Sequence, residues 1–174
     1  MSLHPDKFNK GPASPAGGFT LVEVLVALAL LTVALVPAFI QATNATLLSA
    51  TIRSSLVSAD LAQEGVEIVR AMRDANWFAG QSFDTGLDAC VDGCRVQWNS
   101  TTPLPLSGNA PLKLDAASGM YQYDTGTDSQ FSRTITVTPV SAVELNVSSV
   151  VTWRERGADK TFTVESHLFN WLNP

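Results

Sequence analysis

Glu23 is the residue whose position has the clearest chemical consequence. It is the single ionisable side chain in the twenty-two residues Phe19–Ile40, FTLVEVLVALALLTVALVPAFI. A carboxylate in so apolar a stretch is costly unless it is neutralised or paired. No Lys or Arg lies between Phe19 and Arg53, so the segment supplies no cationic side chain of its own. Cleavage of the Gly18–Phe19 bond would create a suitable charge. The new α-amino group on Phe19 would lie about one helical turn from Glu23, and in a staggered stack of copies each carboxylate can face a neighbour's N-terminus.

The other residues capable of chemistry are few. Cys90 and Cys94 bracket an Asp92-Gly93 turn signal, a spacing that suits a small disulfide pinning a loop in an exported domain. Free thiols are the alternative, since so short a loop needs suitable Cβ geometry. A redox pair would need the two-residue spacing and a helix start, and both are missing here. With His167 the cysteines offer at most three zinc ligands, and nothing in the spacing brings His167 to them. Asp84, Asp88, Asp92, Asp124 and Asp128 could give oxygen ligands to calcium, but no complete calcium-loop pattern is present; carboxylates in polar loops are ordinarily solvated. No metal and no cofactor is expected. His167 has no recognisable nucleophile partner, and GxSxG, P-loop and HExxH patterns are absent. An enzyme is not expected.

These residues must be positioned by elements of two kinds. As a helix, Phe19–Ile40 spans about 33 Å, roughly the hydrocarbon thickness of a bilayer. An ordinary signal peptide would have a shorter apolar core with small residues after it, whereas Gly17–Gly18 precede this run. Residues 1–18 are polar, with Pro5, Pro12 and Pro15, and lack apolar periodicity. Lys7 and Lys10 lie before the run and Arg53 is the first basic residue after it, so the leader stays cytoplasmic and the remainder is exported.

Gly18-Phe19-Thr20-Leu21-Val22-Glu23, followed by the long apolar run, resembles the cleavage and methylation signature of type IV prepilins and type II secretion pseudopilins. The resemblance implies that a prepilin peptidase cuts after Gly18, that Phe19 becomes N-methylated and that Glu23 supports filament assembly. It implies as partners other pilin subunits and an inner-membrane assembly platform. Some pseudopilins bind calcium in the region of the acidic loops. The leader is longer and less basic than in many members, and Pro37 sits somewhat earlier than in major pilins, which favours a minor pilin.

Beyond Gln41 the pattern turns amphipathic. Leu48, Ile52, Leu56, Leu61, Ile68 and Met72 recur at helical spacing, widened by Val66 and Val69, and are expected to pack on a core. Arg70 and Asp74 are placed to pair. Pro37 and Gly65 are weak points in the helix. Residues 78–130 read as a variable polar connection with minor strands at Arg95–Trp98, Leu112–Leu114 and Met120–Tyr123. Phe131–Pro139, Leu145–Trp153 and Thr161–Phe169 read as strands, the last two joined through Arg156-Gly157-Ala158-Asp159. Trp77, Trp98, Trp153 and Trp171 are read as core or sheet-face residues, with Trp171 expected to cap the sheet or face a neighbouring subunit, and Asn44, Asn99 and Asn146 match a glycosylation triplet too short to carry weight.

The expected protein is therefore α+β and pilin-like, one long N-terminal helix packed on a C-terminal antiparallel sheet of three to five strands. Its segments are a leader at 1–18, a transmembrane and assembly helix at 19–40, an amphipathic helical half at 41–77, a loop region at 78–130 and the sheet at 131–174. The expected role is a minor pilin, held as a single pass in the inner membrane before joining a cell-surface filament. The alternatives are a type II secretion pseudopilin or an anchored extracytoplasmic binding module that does not polymerise. A net charge of −5, with 11 basic and 16 acidic side chains, argues against nucleic acid as a partner and gives a DNA-uptake role no particular support.

Overall fold

The computed structural model describes residues 17–172; the expected leader falls largely on residues 1–16, outside the described residues. The chain divides into two units, residues up to Leu47 and residues from Leu48 onward. One helix, α1 (Leu21–Phe78), contributes to both.

In the first unit α1 is apolar on every side and nothing in the described chain covers it. A helix of that kind satisfies its backbone internally and leaves its side chains to a lipid or protein environment. Its hydroxyls are satisfied internally too. Thr32 Oγ1 donates to the Ala29 carbonyl at 2.8 Å and Thr43 Oγ1 to the Ile40 carbonyl at 2.9 Å. The helix runs on through Pro37, which has no N–H to give.

In the second unit the buried stripe of α1 is Ser58, Leu61, Ala62, Gly65, Val66, Ile68, Val69, Met72 and Arg73. It lies against a seven-stranded antiparallel sheet. Leu48, Ile52 and Leu56, expected in the core, are exposed instead. The stripe is continuous in sequence, but the sheet residues that bury it meet only its later turns. The Arg70–Asp74 pair is also corrected. Arg70 Nη1 sits 2.6 Å from Glu67, Arg73 Nη2 sits 2.7 Å from Asp74, and Arg73 lies over the Trp77 ring.

Three long strands carry the sheet: β5 (Thr127–Ser141), β6 (Glu144–Glu155) and β7 (Ala158–Phe169). Each is longer than its sequence signal, because the added ends are mostly polar or charged, as at Glu144, Arg154, Glu155, Asp159 and Lys160, and give little apolar contrast. The β6–β7 loop is Arg156–Gly157, both at positive φ, 51° and 80°, the two-residue turn whose twist matches the flanking strands. On the far edge of β5 sit the short strands β1 (Cys94–Arg95), β2 (Leu104–Pro105), β3 (Pro111–Leu114) and β4 (Tyr121–Gln122), in the order β2-β1-β5-β3-β4. They raise the strand number above the three to five expected. β1, β3 and β4 overlap the minor strands expected at Arg95–Trp98, Leu112–Leu114 and Met120–Tyr123, whereas β2, two residues long, leaves almost no periodicity to read.

The core has two parts. Val66, Val69 and Met72 of α1 meet Leu87, Val96, Ile135, Val137, Val147 and Leu168. Nearer the hairpin tip, Leu61 and Ala62 meet Leu112, Phe131, Val151 and Trp153. Trp153 is thus a core residue, as its sequence position suggested. The polar connection is held by its own network. Buried Gln97 accepts from the Tyr123 backbone N–H at 2.8 Å and donates to Asp124 at 2.6 Å and Asn99 at 2.9 Å.

Candidate functional site

The residues singled out at the start of the apolar run form one local arrangement. Gly17 to Thr20 have no regular secondary structure. Nothing in the described chain comes within 4 Å of where a Cβ would stand on Gly17 or Gly18, and Phe19 is 81% exposed. A peptidase needs an uncovered bond, and the Gly18–Phe19 bond is uncovered.

The helix begins two residues later for a local reason. Thr20 Oγ1 accepts the Glu23 backbone N–H at 3.2 Å, which places Thr20 as N-cap and Glu23 at the third helical position. Thr-x-x-Glu is the sequence of a capping box. That signal lies in plain view in Thr20-Leu21-Val22-Glu23. It modifies the electrostatic argument, because the first turn of α1 is itself a partial positive charge. The help is small: about 0.3–1 kcal/mol for an acid at a helix N-terminus, against roughly 3 kcal/mol for a carboxylate deep in a bilayer. When the segment is buried, the carboxylate must still be neutralised or paired with a further cation.

The remaining candidates fall elsewhere. Cys90 and Cys94 are joined, with S–S 2.00 Å and Cα atoms 4.6 Å apart, and both are fully buried in the core. Free thiols are therefore not present among the described residues. The acidic loop residues do not converge on a metal site: no cluster of three or more candidate ligands occurs among the described residues. Asp84 instead accepts from Ser82 Oγ, and Asp124 from Gln97. His167 Nδ1 lies 2.7 Å from Glu144 on the neighbouring strand, and its ring stacks on Phe169. Trp77 donates from Nε1 to Asn170 and packs edge-on against the exposed Trp171. Trp98 is exposed, against expectation, with its Nε1 donating to Gln122.

Two residues that position the globular unit were not read from the sequence. Arg133, on β5, is 1% exposed. Its Nη1 donates to the Leu61 carbonyl at 2.7 Å and lies 3.0 Å from Glu64, while Nη2 donates to the Val96 carbonyl at 2.6 Å. One guanidinium therefore ties α1 to β5 and to the loop after β1. Gly65 is the second, and its role is steric. An arginine inside FSRTITVTP and a glycine inside a helical stripe carry no sequence signal of these contacts.

Comparison with known families matches residues 14–39 to the prokaryotic N-terminal methylation motif. Searches of curated proteins and of solved structures find no match. The family match covers the signature and not the globular unit.

Proposed function

We propose that this chain is a minor pilin of a type IV pilus-type filament, with residues 1–18 removed by a prepilin peptidase and Phe19 N-methylated. The premise is that the chain carries the prepilin-type signature at residues 14–39. With one long apolar helix and an antiparallel sheet, it is a type IV pilin-like or pseudopilin-like structural subunit rather than an enzyme, anchored to the membrane by its N-terminal helix. That signature implies processing by the peptidase and assembly with other pilins. The finer reading is a single pass in the inner membrane with residues beyond Ile40 outside the cytoplasm, then extraction by the assembly platform into a surface filament.

One observation supports it above the rest. An uncovered Gly18–Phe19 bond stands directly before a Thr20-capped helix, with Glu23 in its first turn and no basic side chain before Arg53. Trimming places a positive α-amino group in the same turn. In a filament the carboxylate of one copy can then neutralise the N-terminus of the next, removing two isolated charges from an apolar interior.

Glu23→Ala tests this in the host cell. The variant is expected at normal level in membranes but missing from sheared surface filaments. Equal incorporation would rule out the charge-pairing role, and absence of the unaltered chain itself from filaments would favour a solitary anchored module.

A further inference from the structure

Strand β7 is the margin of the sheet on its side and, among the described residues, pairs only with β6. Its twelve residues contain no proline, and its register against β6 is unbroken. The opposite margin is made by β2 and β4, two residues each, with Pro103 and Pro105 at β2. Short, proline-bearing edges resist the addition of foreign strands. β7 is neither short nor interrupted by proline, and its charged side chains are Asp159, Lys160 and Glu165.

The hairpin fixes which backbone groups are free. A two-residue loop makes Glu155 and Ala158 a hydrogen-bonded pair, so the even-numbered residues of β7 turn their N–H and C=O groups toward β6. The Asn170 N–H donates to the Val143 carbonyl at 2.8 Å, continuing the same parity. The odd-numbered residues from Asp159 to His167 therefore present theirs outward, where they meet no strand among the described residues.

The side chains beside this edge are also unfinished. Phe162, on the helix-facing side of β7, is 38% exposed. Arg70 of α1 reaches Ser166 of β7 at 3.4 Å. Stepping back from Arg70 by whole helical turns leads to Leu56 and Ile52 on the same flank, and both are exposed. On the opposite face of β7, Glu165 has no ion-pair partner among the described residues, and Asp159, across from Arg154 in the β6–β7 register, makes no ion-pair contact with it.

We propose that the β7 edge receives an extended segment of a different protein as an eighth strand. The segment turns apolar residues toward Phe162, Leu56 and Ile52, and basic residues toward Asp159 and Glu165. Main-chain hydrogen bonds supply the affinity and alternate side chains the selectivity. A second copy of β7 fits less well. Its acids would repeat the charge already there, and antiparallel pairing about a two-fold axis through the edge would point the two α1 helices in opposite directions.

The test uses the full chain in detergent micelles and two labelled ten-residue peptides, one alternating valine with lysine and one alternating valine with glutamate. The valine–lysine peptide should bind, and slow hydrogen exchange at Thr161, Thr163 and Glu165. Thr163→Pro removes an outward N–H and leaves the ladder to β6 intact. It should weaken binding at least about tenfold, as should the exchange of lysine for glutamate. Absence of binding, equal binding by Thr163→Pro, or protection outside β7 would overturn the proposal. So would self-association of the chain that Thr163→Pro abolishes, since it would make the occupant a second copy. The exchange measurement needs no variant and decides the matter if Thr163→Pro fails to fold.

Discussion

Gly65 on α1 and Ser149 on β6 meet so closely that a Cβ on residue 65 would lie 2.6 Å from Ser149 Oγ, and 2.7 Å from Ile135 Cδ1. The helix can lie down on the sheet here because residue 65 has no side chain. A glycine inside a helix costs about 1 kcal/mol relative to alanine, and at this position that cost is the condition for helix–sheet packing.

Gly65→Ala should therefore destabilise the globular unit despite its better helix propensity, by about 1–3 kcal/mol from overpacking. Ser149 Oγ is buried and makes no hydrogen bond, so Ser149→Ala alone should be close to neutral. The double variant should recover part of the Gly65→Ala loss. Denaturant unfolding of the four proteins in micelles, read by tryptophan fluorescence, gives the cycle. Strict additivity would mean that the two residues do not meet.

Arg133 and Glu64 should prove unequal partners. Arg133→Met strands the Leu61 and Val96 carbonyls, and the loss should be about 3–5 kcal/mol. The Glu64 side chain is 34% exposed, so Glu64→Gln, which leaves both carbonyl bonds in place, should cost no more than about 1 kcal/mol. Equal losses in the same unfolding assay would mean that the ion pair, and not the carbonyl bonds, holds the helix.

Tyr123 provides an alkaline limit. Burial pushes its phenol above the ordinary value of 10.0, against the lowering influence of Arg133 and Arg95, and its hydroxyl donates to the Arg133 carbonyl at 3.1 Å. A raised value in the folded state means that the fold holds this proton more tightly than the unfolded chain does. The contribution is intact below pH 10 and is lost as pH rises through the raised value. A phenolate absorbance titration should show a late step that Tyr123→Phe removes. Persistence of that step in Tyr123→Phe would assign it elsewhere.

Reduction of Cys90–Cys94 should loosen the loop from Leu87 to Val96 without unfolding the sheet. A loop this short is worth about 2 kcal/mol by chain entropy, and the paired alanine variant should lose a comparable amount. Complete unfolding on reduction would show that the bridge carries far more than its loop.

How much was readable depended on whether the signal was local. The apolar run, the strand centres and the Arg156–Gly157 turn are each written in consecutive residues, and each is found in the fold. Arg133 and Gly65 are not local in that sense. What matters for Arg133 is the Leu61 and Val96 carbonyls, and for Gly65 the Ser149 and Ile135 side chains; no spacing within their own segments encodes these partners. The Leu48–Leu56 stripe misled for the opposite reason. Its periodicity is genuine, but nothing in the described chain covers it. The capping box at Thr20–Glu23 is local too, written in four consecutive residues.

The central claim is that the chain is trimmed before Phe19 so that Glu23 meets a neighbour's N-terminus. Mass spectrometry of the N-terminal peptide, from protein purified out of its native membranes, tests it most directly. The account predicts a chain beginning at Phe19 and carrying one added methyl group. A chain that retains residues 1–18, or one that has lost the whole Phe19–Ile40 segment, would contradict it.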